Sequence, residues 1–167
     1  MSRPASTELD AERLLRSLVD GGVDFVVIGG IAAVLHGSPR STFDLDICFA
    51  NDATNLDALG AVLTSLDARL RGVPDDVPFV PDRATLKRID VLTLVTIAGD
   101  LDVLRVPDGA PRYDVLRAHA DRFDVGGFEV LVASIEDLIA MKTAADRDKD
   151  RADVAELEAI LRLRSGG

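Results

Sequence analysis

Asp44 and Asp46 stand two residues apart in the segment Phe-Asp-Leu-Asp-Ile, separated by the apolar Leu45 and followed by Ile47. On a β-strand that spacing places both carboxylates on one face, with Cα atoms about 6.6 Å apart, so the two side chains can converge on one cation. Hard divalent ions such as Mg²⁺ prefer oxygen ligands and keep water and substrate phosphate in their remaining positions, which is the arrangement that in-line phosphoryl displacement uses. A bare Asp-x-Asp is more commonly a solvated strand face. Its surroundings decide, and thirteen residues separate Asp44 from Gly30, the second of a Gly29-Gly30 pair that closes the apolar run Phe25-Val-Val-Ile. A diglycine where a buried strand meets a helix lets backbone approach a ligand and points N–H groups at a phosphate.

The elements that position these residues are legible from periodicity. Leu9, Leu14, Leu15, Leu18 and Val19 recur at helical spacing and predict an amphipathic helix over 7–20, capped by Ser6 or Thr7 and stopped by Gly21-Gly22. The run ending at Gly29-Gly30 predicts a strand buried on both faces, followed by a short helix over 31–36 that Gly37 closes. Residues 44–49 form the strand that carries the acids, 56–70 a helix, 73–81 a Pro-rich connection, and 91–106 a β-rich stretch with a turn at Gly99-Asp100. Further on, 112–120 reads as helix, 123–132 as a hairpin about Gly126-Gly127, and Ser134 as the cap of a helical stretch over 135–163 with a strongly charged middle, one bent helix or two.

Composition narrows the field. With 47% hydrophobic and 29% charged residues among 167, the chain is expected to form one domain with a real core. Cys48 is the single cysteine, which excludes an intramolecular disulfide and a cysteine-held zinc and fits a reducing compartment. The net charge of −10 opposes passive binding of nucleic acid by a broad basic surface, so a phosphate ligand needs local help from metal, arginine or backbone. No apolar run approaches the length of a bilayer span, and charges fall where a secretory signal would place its apolar stretch, so the protein is expected to be cytoplasmic, with no membrane partner.

Residues 26–47, VVIGGIAAVLHGSPRSTFDLDI, resemble the signature of the nucleotidyltransferase superfamily (DNA polymerase beta-like), specifically its minimal and abortive-infection toxin-type branch: an apolar strand ending in Gly-Gly or Gly-Ser, a spacer, then Asp-x-Asp. The stretch 141–157, MKTAADRDKDRADVAEL, is similar to the Lys-plus-acidic helix of the abortive-infection branch. The resemblance implies an α/β (α+β) fold, a small mixed sheet flanked by helices plus C-terminal helices. A core over about 7–106 and a hairpin and helical extension over about 111–165 would then form one nucleotidyltransferase domain spanning 1–167.

It further implies Mg²⁺ or Mn²⁺ at Asp44, Asp46 and a third acid on a later strand, and a nucleoside triphosphate as substrate, its monophosphate moving to an acceptor hydroxyl with release of pyrophosphate. For the third acid, Asp102 in GDLDVL fits best; Asp100 falls on the same face by alternation but beside Gly99 reads more simply as a turn residue. Arg40 would hold the triphosphate, with Ser41 or Thr42 donating a hydroxyl. The resemblance also gives Lys142 a catalytic, triphosphate-binding role and Asp150 or Asp153 a supporting one. On a continuous helix Lys142, Asp146, Lys149 and Asp153 would share one stripe, usually a solvated, ion-paired face. Related proteins often have Arg-Pro-Lys-Asp where this chain has Arg147-Asp148-Lys149-Asp150, so the helix break of the family is not assured by its proline here.

The acceptor could be a tRNA end, a partner protein or a small molecule, and Lys142, Arg147, Lys149, Arg151, Arg162 and Arg164 could form a local basic patch. A toxin or antitoxin partner is implied, and a reading from another class is a toxin–antitoxin component acting mainly by binding on the same fold. Cys48, on the face of Asp46, reads as a buried small hydrophobe, and His36 and His119 lack the partners of a metal site.

Overall fold

The computed structural model describes residues 7–166. Helix α1 (Ala11–Asp20) buries Leu14, Leu15 and Leu18, and its N-cap is Asp10, whose carboxylate accepts from the Arg13 N–H at 3.1 Å. The cap expected at Ser6 or Thr7 is therefore displaced inward; Ser6 lies outside the described residues, and Thr7 precedes the helix. Strand β1 (Phe25–Ile28) is buried at all four positions, as a strand covered on both faces must be. Helix α2 (Gly29–Leu35) begins two residues earlier than its apolar pattern predicts, because the diglycine itself makes the first turn.

Strand β2 (Asp44–Phe49) has the expected bounds, and α3 (Ala53–Ser65) follows, capped by Asp52. The helix expected to reach residue 70 ends at Ser65. Asp67 takes a left-handed φ of 50°, and the chain enters the short strand β3 (Arg69–Leu70). The Pro-rich connection leads into a helix that periodicity did not mark, α4 (Arg83–Arg88), capped by Asp82 and anchored by the buried Leu86. Strands β4 (Val91–Thr96) and β5 (Gly99–Leu104) then pair as expected, but the turn lies at Ile97-Ala98 and Gly99 already belongs to β5, facing Thr96.

The rest of the chain comprises α5 (Tyr113–His119), the hairpin of β6 (Asp121–Asp124) and β7 (Glu129–Val132), α6 (Ile135–Ala145) with Ser134 as N-cap, and α7 (Asp148–Ser165). Among the described residues seven strands make one mixed sheet in the order β3-β4-β5-β2-β1-β7-β6. Its centre is set by β1, antiparallel to β2, while β2 is parallel to β5 with Asp44 opposite Asp100 and Asp46 opposite Asp102. The pleat sends Leu45, Ile47 and Phe49 to one face, all fully buried, and Asp44, Asp46 and Cys48 to the other. Leu101 and Val103 of β5 are likewise buried, which leaves Asp100 and Asp102 to the acid-bearing face. Among the described residues no helix is long and apolar enough to cross a membrane.

Candidate active site

Parallel register is what assembles the acids. Because Asp46 lies opposite Asp102, and Asp44 one pleat away on the same face, a carboxylate oxygen from each of Asp44, Asp46 and Asp102 lies within 4.8 Å of the others. Like charges this close resist joint ionisation. Burial first, then the charges of Asp44 and Asp102 and a hydrogen bond with Asp102, push Asp46 from 3.8 up to about 8, against a smaller opposing pull from Lys142. Burial also raises Asp102, opposed by the charge and hydrogen bond of Arg71.

Glycine is required at the floor of this site. Gly29 has φ +71°, and a Cβ there would fall 2.1 Å from Asp46 Oδ2; a Cβ on Gly30 would meet Thr42 Oγ1 at 2.8 Å. The diglycine thus gives the Asp46 carboxylate its room and lets the loop before β2 close against α2. Thr42 spends its hydroxyl within that loop, donating to the Asp44 carbonyl at 3.1 Å, while Ser41 is exposed on the rim.

The acids open into a cleft of about 370 Å³ whose other wall is the C-terminal helix pair. Here the structure corrects the single-stripe arrangement. Asp146 takes a left-handed φ of 49° and ends α6; Arg147 then caps α7, its backbone N–H donating to Asp150 Oδ2 at 3.2 Å and its Nε to the same oxygen at 2.6 Å. Of the two arrangements the sequence left open, one bent helix or two, the structure has two, and the break persists without the proline of the related pattern. Asp146 is turned away to pair with Arg151 at 3.0 Å, whereas Lys142 reaches Asp153 at 3.0 Å and Asp150 at 3.6 Å. The Lys142 side chain is only 19% exposed and lines the cleft, so it is no surface ion-pair residue. Asp150 is fully buried, and its hydrogen bond from Arg147 holds it below the usual carboxylate range.

Arg40 crosses to this wall. It contacts Asp153 Oδ1 and lies 3.7 Å from Glu156, so Asp153 joins the cation of the β2 loop to the cation of α6. Glu156 is also hydrogen-bonded by the buried Ser38. Of the basic residues expected to cluster here, Lys142, Arg147 and Lys149 line the cleft, while Arg151 is engaged with Asp146 and Asp148, and Arg164 donates to the His36 carbonyl at 3.3 Å.

Two residues that sequence reasoning missed complete the site, Arg71 and Glu156. Arg71 follows β3, and its Nη2 donates to Asp102 Oδ1 at 2.8 Å while its Nε lies 3.3 Å from Asp100 Oδ2. Nothing local marks an arginine at a short edge strand as a neighbour of an acid thirty-one residues on. Glu156 carries a signal, since it lies three residues after Asp153 and so on the same helix face. The bland candidates behave as expected. Cys48 is buried, its thiol pushed up to about 12 by burial and donating to the Arg105 carbonyl at 2.6 Å. His36 is buried with Nε2 2.8 Å from the Ala133 carbonyl, and His119 Nδ1 lies 2.9 Å from Asp137, away from the cleft.

A mixed sheet with parallel β2 and β5, a diglycine helix start and an acid cluster at their common face define a nucleotidyltransferase fold with a carboxylate triad. The profile described as "Nucleotidyl transferase AbiEii toxin, Type IV TA system" matches residues 13–154, and the chain belongs to that family of enzymes. Solved structures share the fold at low identity. The lincomycin-bound lincosamide antibiotic adenylyltransferase LnuA is 17% identical with a TM-score of 0.60, covering 92% of this chain and 99% of its own. An antigenic nucleotidyltransferase-like protein of Paracoccidioides brasiliensis is 20% identical with a TM-score of 0.59, covering 95% of this chain and 79% of its own. ANT(2")-Ia, solved with adenylyl-2"-tobramycin, is 16% identical with a TM-score of 0.54, covering 92% and 91%. No curated protein sequence matches the chain.

The donor set fits a divalent cation. Three carboxylates offer hard oxygen ligands, Asp46 is costly to ionise without a positive partner, and Gly29 keeps open the space beside its oxygen.

Proposed function

We propose that this chain transfers a nucleoside monophosphate from a nucleoside triphosphate to an acceptor hydroxyl, releasing pyrophosphate, and that 1–167 act as one catalytic domain. The observation that carries the reading is the convergence of Asp44, Asp46 and Asp102 at the head of a cleft rimmed by Arg40 and Lys142. Asp44, Asp46 and Asp102 would hold Mg²⁺ or Mn²⁺, which when bound neutralises phosphate charge and favours the attacking oxygen. In the step itself the acceptor oxygen bonds to the α-phosphorus, and the bond from that phosphorus to the bridging oxygen of pyrophosphate breaks. The electron pair leaves with pyrophosphate, and the hydroxyl proton passes to a carboxylate oxygen of Asp102, which stands beside Asp44 and Asp46 at the head of the cleft.

Arg40 would exchange Asp153 and Glu156, and Lys142 would exchange Asp153 and Asp150, for triphosphate oxygens, with Gly29, Gly30, Ser41 and Thr42 forming the near wall. Asp150 and Asp153 then act as supports: Asp150 fixes the start of α7, and Asp153 holds both cations in place until nucleotide arrives. Catalysis of this kind is positioning and charge neutralisation, and no covalent enzyme intermediate is required.

The family description places such toxins in type IV toxin–antitoxin systems, so an antitoxin is the expected protein partner. A tRNA end, a partner protein and a small molecule are the acceptor classes to compare, the last prompted by the antibiotic ligands of the LnuA and ANT(2")-Ia structures. The intact triad supports catalysis over a purely binding role. The test is transfer of α-labelled nucleotide from each triphosphate to RNA, protein and small-molecule fractions of a cell extract with Mg²⁺. Label should appear in one fraction with wild type and in none with Asp46→Asn; equal labelling by both proteins would refute the assignment.

A further inference from the structure

We propose that Arg71 is a positioning residue for the third carboxylate, hydrogen-bonding one oxygen of Asp102 while only ion-pairing with Asp100, so that of the two β5 acids Asp102 is the one presented to Asp44 and Asp46. The inference rests on the metal-site reading above and deepens it. Arg71 is itself firmly held: its backbone N–H donates to the Thr93 carbonyl at 2.9 Å, and its Nη2 donates to the Leu94 carbonyl at 2.9 Å as well as to Asp102 Oδ1 at 2.8 Å. Its Nε lies 3.3 Å from Asp100 Oδ2.

Asp100 and Asp102 share a face of β5, and each lies in register with one acid of β2. Alternation therefore cannot choose between them. What separates them is the guanidinium, which hydrogen-bonds Asp102 Oδ1 but makes only an ion pair with Asp100, whose Oδ1 is buried without a hydrogen-bond partner among the described residues; its rigid planar fork fixes the bonded carboxylate as a lysine ammonium on a flexible stem does not. A positive charge beside a cation site opposes cation binding, so its presence there needs a compensating gain, and a fixed Asp102 supplies one.

The two roles predict opposite signs. If Arg71 acted only through its charge, Arg71→Met would tighten binding of a divalent cation. If it orients Asp102, the same change weakens binding by about tenfold, the lower end of the roughly 10–100-fold that loss of a ligand-orienting partner costs. The experiment is Mn²⁺ titration followed by electron paramagnetic resonance of the free ion, on the full chain as wild type, Arg71→Met, Arg71→Lys, Asp102→Asn, Asp44→Asn and the double variant Arg71→Met/Asp102→Asn, with thermal melting to establish folding.

We expect about tenfold weaker Mn²⁺ binding in Arg71→Met, a loss that Arg71→Lys restores only in small part, and no further loss from Arg71→Met once Asp102→Asn is present. Unchanged or tighter binding in Arg71→Met, or the same tenfold loss on the Asp102→Asn background, overturns the proposal. Should Arg71→Met not fold, Arg71→Lys takes its place in the same cycle with the same criteria. A wild type that binds no Mn²⁺ overturns the metal-site reading and this inference together, whereas Mn²⁺ binding that Asp44→Asn weakens and the Arg71 variants do not overturns this inference alone.

Discussion

Burial and two neighbouring carboxylates push Asp46 up to about 8, and that cost has a direction. Between about 4 and 8 the folded, metal-free protein binds a proton at Asp46 that the unfolded chain, with an ordinary value of 3.8, has released. Stability rises with pH only where the unfolded state binds more protons; here the folded state binds more, so the contribution falls as pH rises through that window. Melting temperature of the metal-free protein should therefore decline from pH 5 to pH 8, less steeply in Asp46→Asn, while the same variant loses transfer activity. A parallel decline in both proteins would show that Asp46 ionises freely. Lys142 gives a second residue-scale test. A charge-assisted hydrogen bond contributes about 1.5–3 kcal/mol, and each 1.4 kcal/mol is tenfold in affinity. Lys142→Met should then weaken binding of a non-hydrolysable triphosphate with Mg²⁺ tens-fold by isothermal titration, and equal dissociation constants would reduce Lys142 to a partner of Asp153.

At the scale of elements the site depends on where chain segments start and stop. Gly29 opens α2 at φ +71° with no room for a Cβ beside Asp46 Oδ2, so Gly29→Ala strains the backbone and displaces the carboxylate at once. We expect a loss of about 1–3 kcal/mol in stability from the left-handed conformation, and a larger proportional loss of Mn²⁺ affinity; a variant that melts early yet binds Mn²⁺ as wild type would place the crowding elsewhere.

The Asp-x-Asp strand, its diglycine approach and the hairpin at Gly126-Gly127 were legible because each is local: alternation, turn residues and apolar runs mark them in a few adjacent positions. What was not legible is set by tertiary contact. Leu63, Leu66 and Leu70 keep helical spacing past the true end of α3, and only Asp67 in the left-handed region turns the chain into β3. The break between α6 and α7 has neither Gly nor Pro, and rests on Asp146 adopting a conformation that Asp tolerates better than most residues. Arg71 was hidden for the same reason, since its role exists only once β3 pairs beside β4 and β4 beside β5.

For the whole molecule the decisive property is that one cleft joins the carboxylates of the sheet to Arg40 of the β2 loop and Lys142 of α6, so the proposed cation and nucleotide would share it. A ligand that binds only the folded state stabilises it by mass action, about 2.7 kcal/mol at a hundredfold excess over Kd. At about 2–4 °C per kcal/mol for a chain of this size that is a rise of about 5–10 °C. The most direct measurement is thermal melting of wild type, Asp44→Asn and Asp46→Asn with Mg²⁺ alone, with each nucleoside triphosphate alone, and with both. We predict a shift of that size for wild type only when Mg²⁺ and at least one triphosphate are present together, and none in either variant. No shift with any triphosphate at millimolar concentration, or the same shift in the Asp variants, would contradict a metal-dependent nucleotide site at Asp44, Asp46 and Asp102.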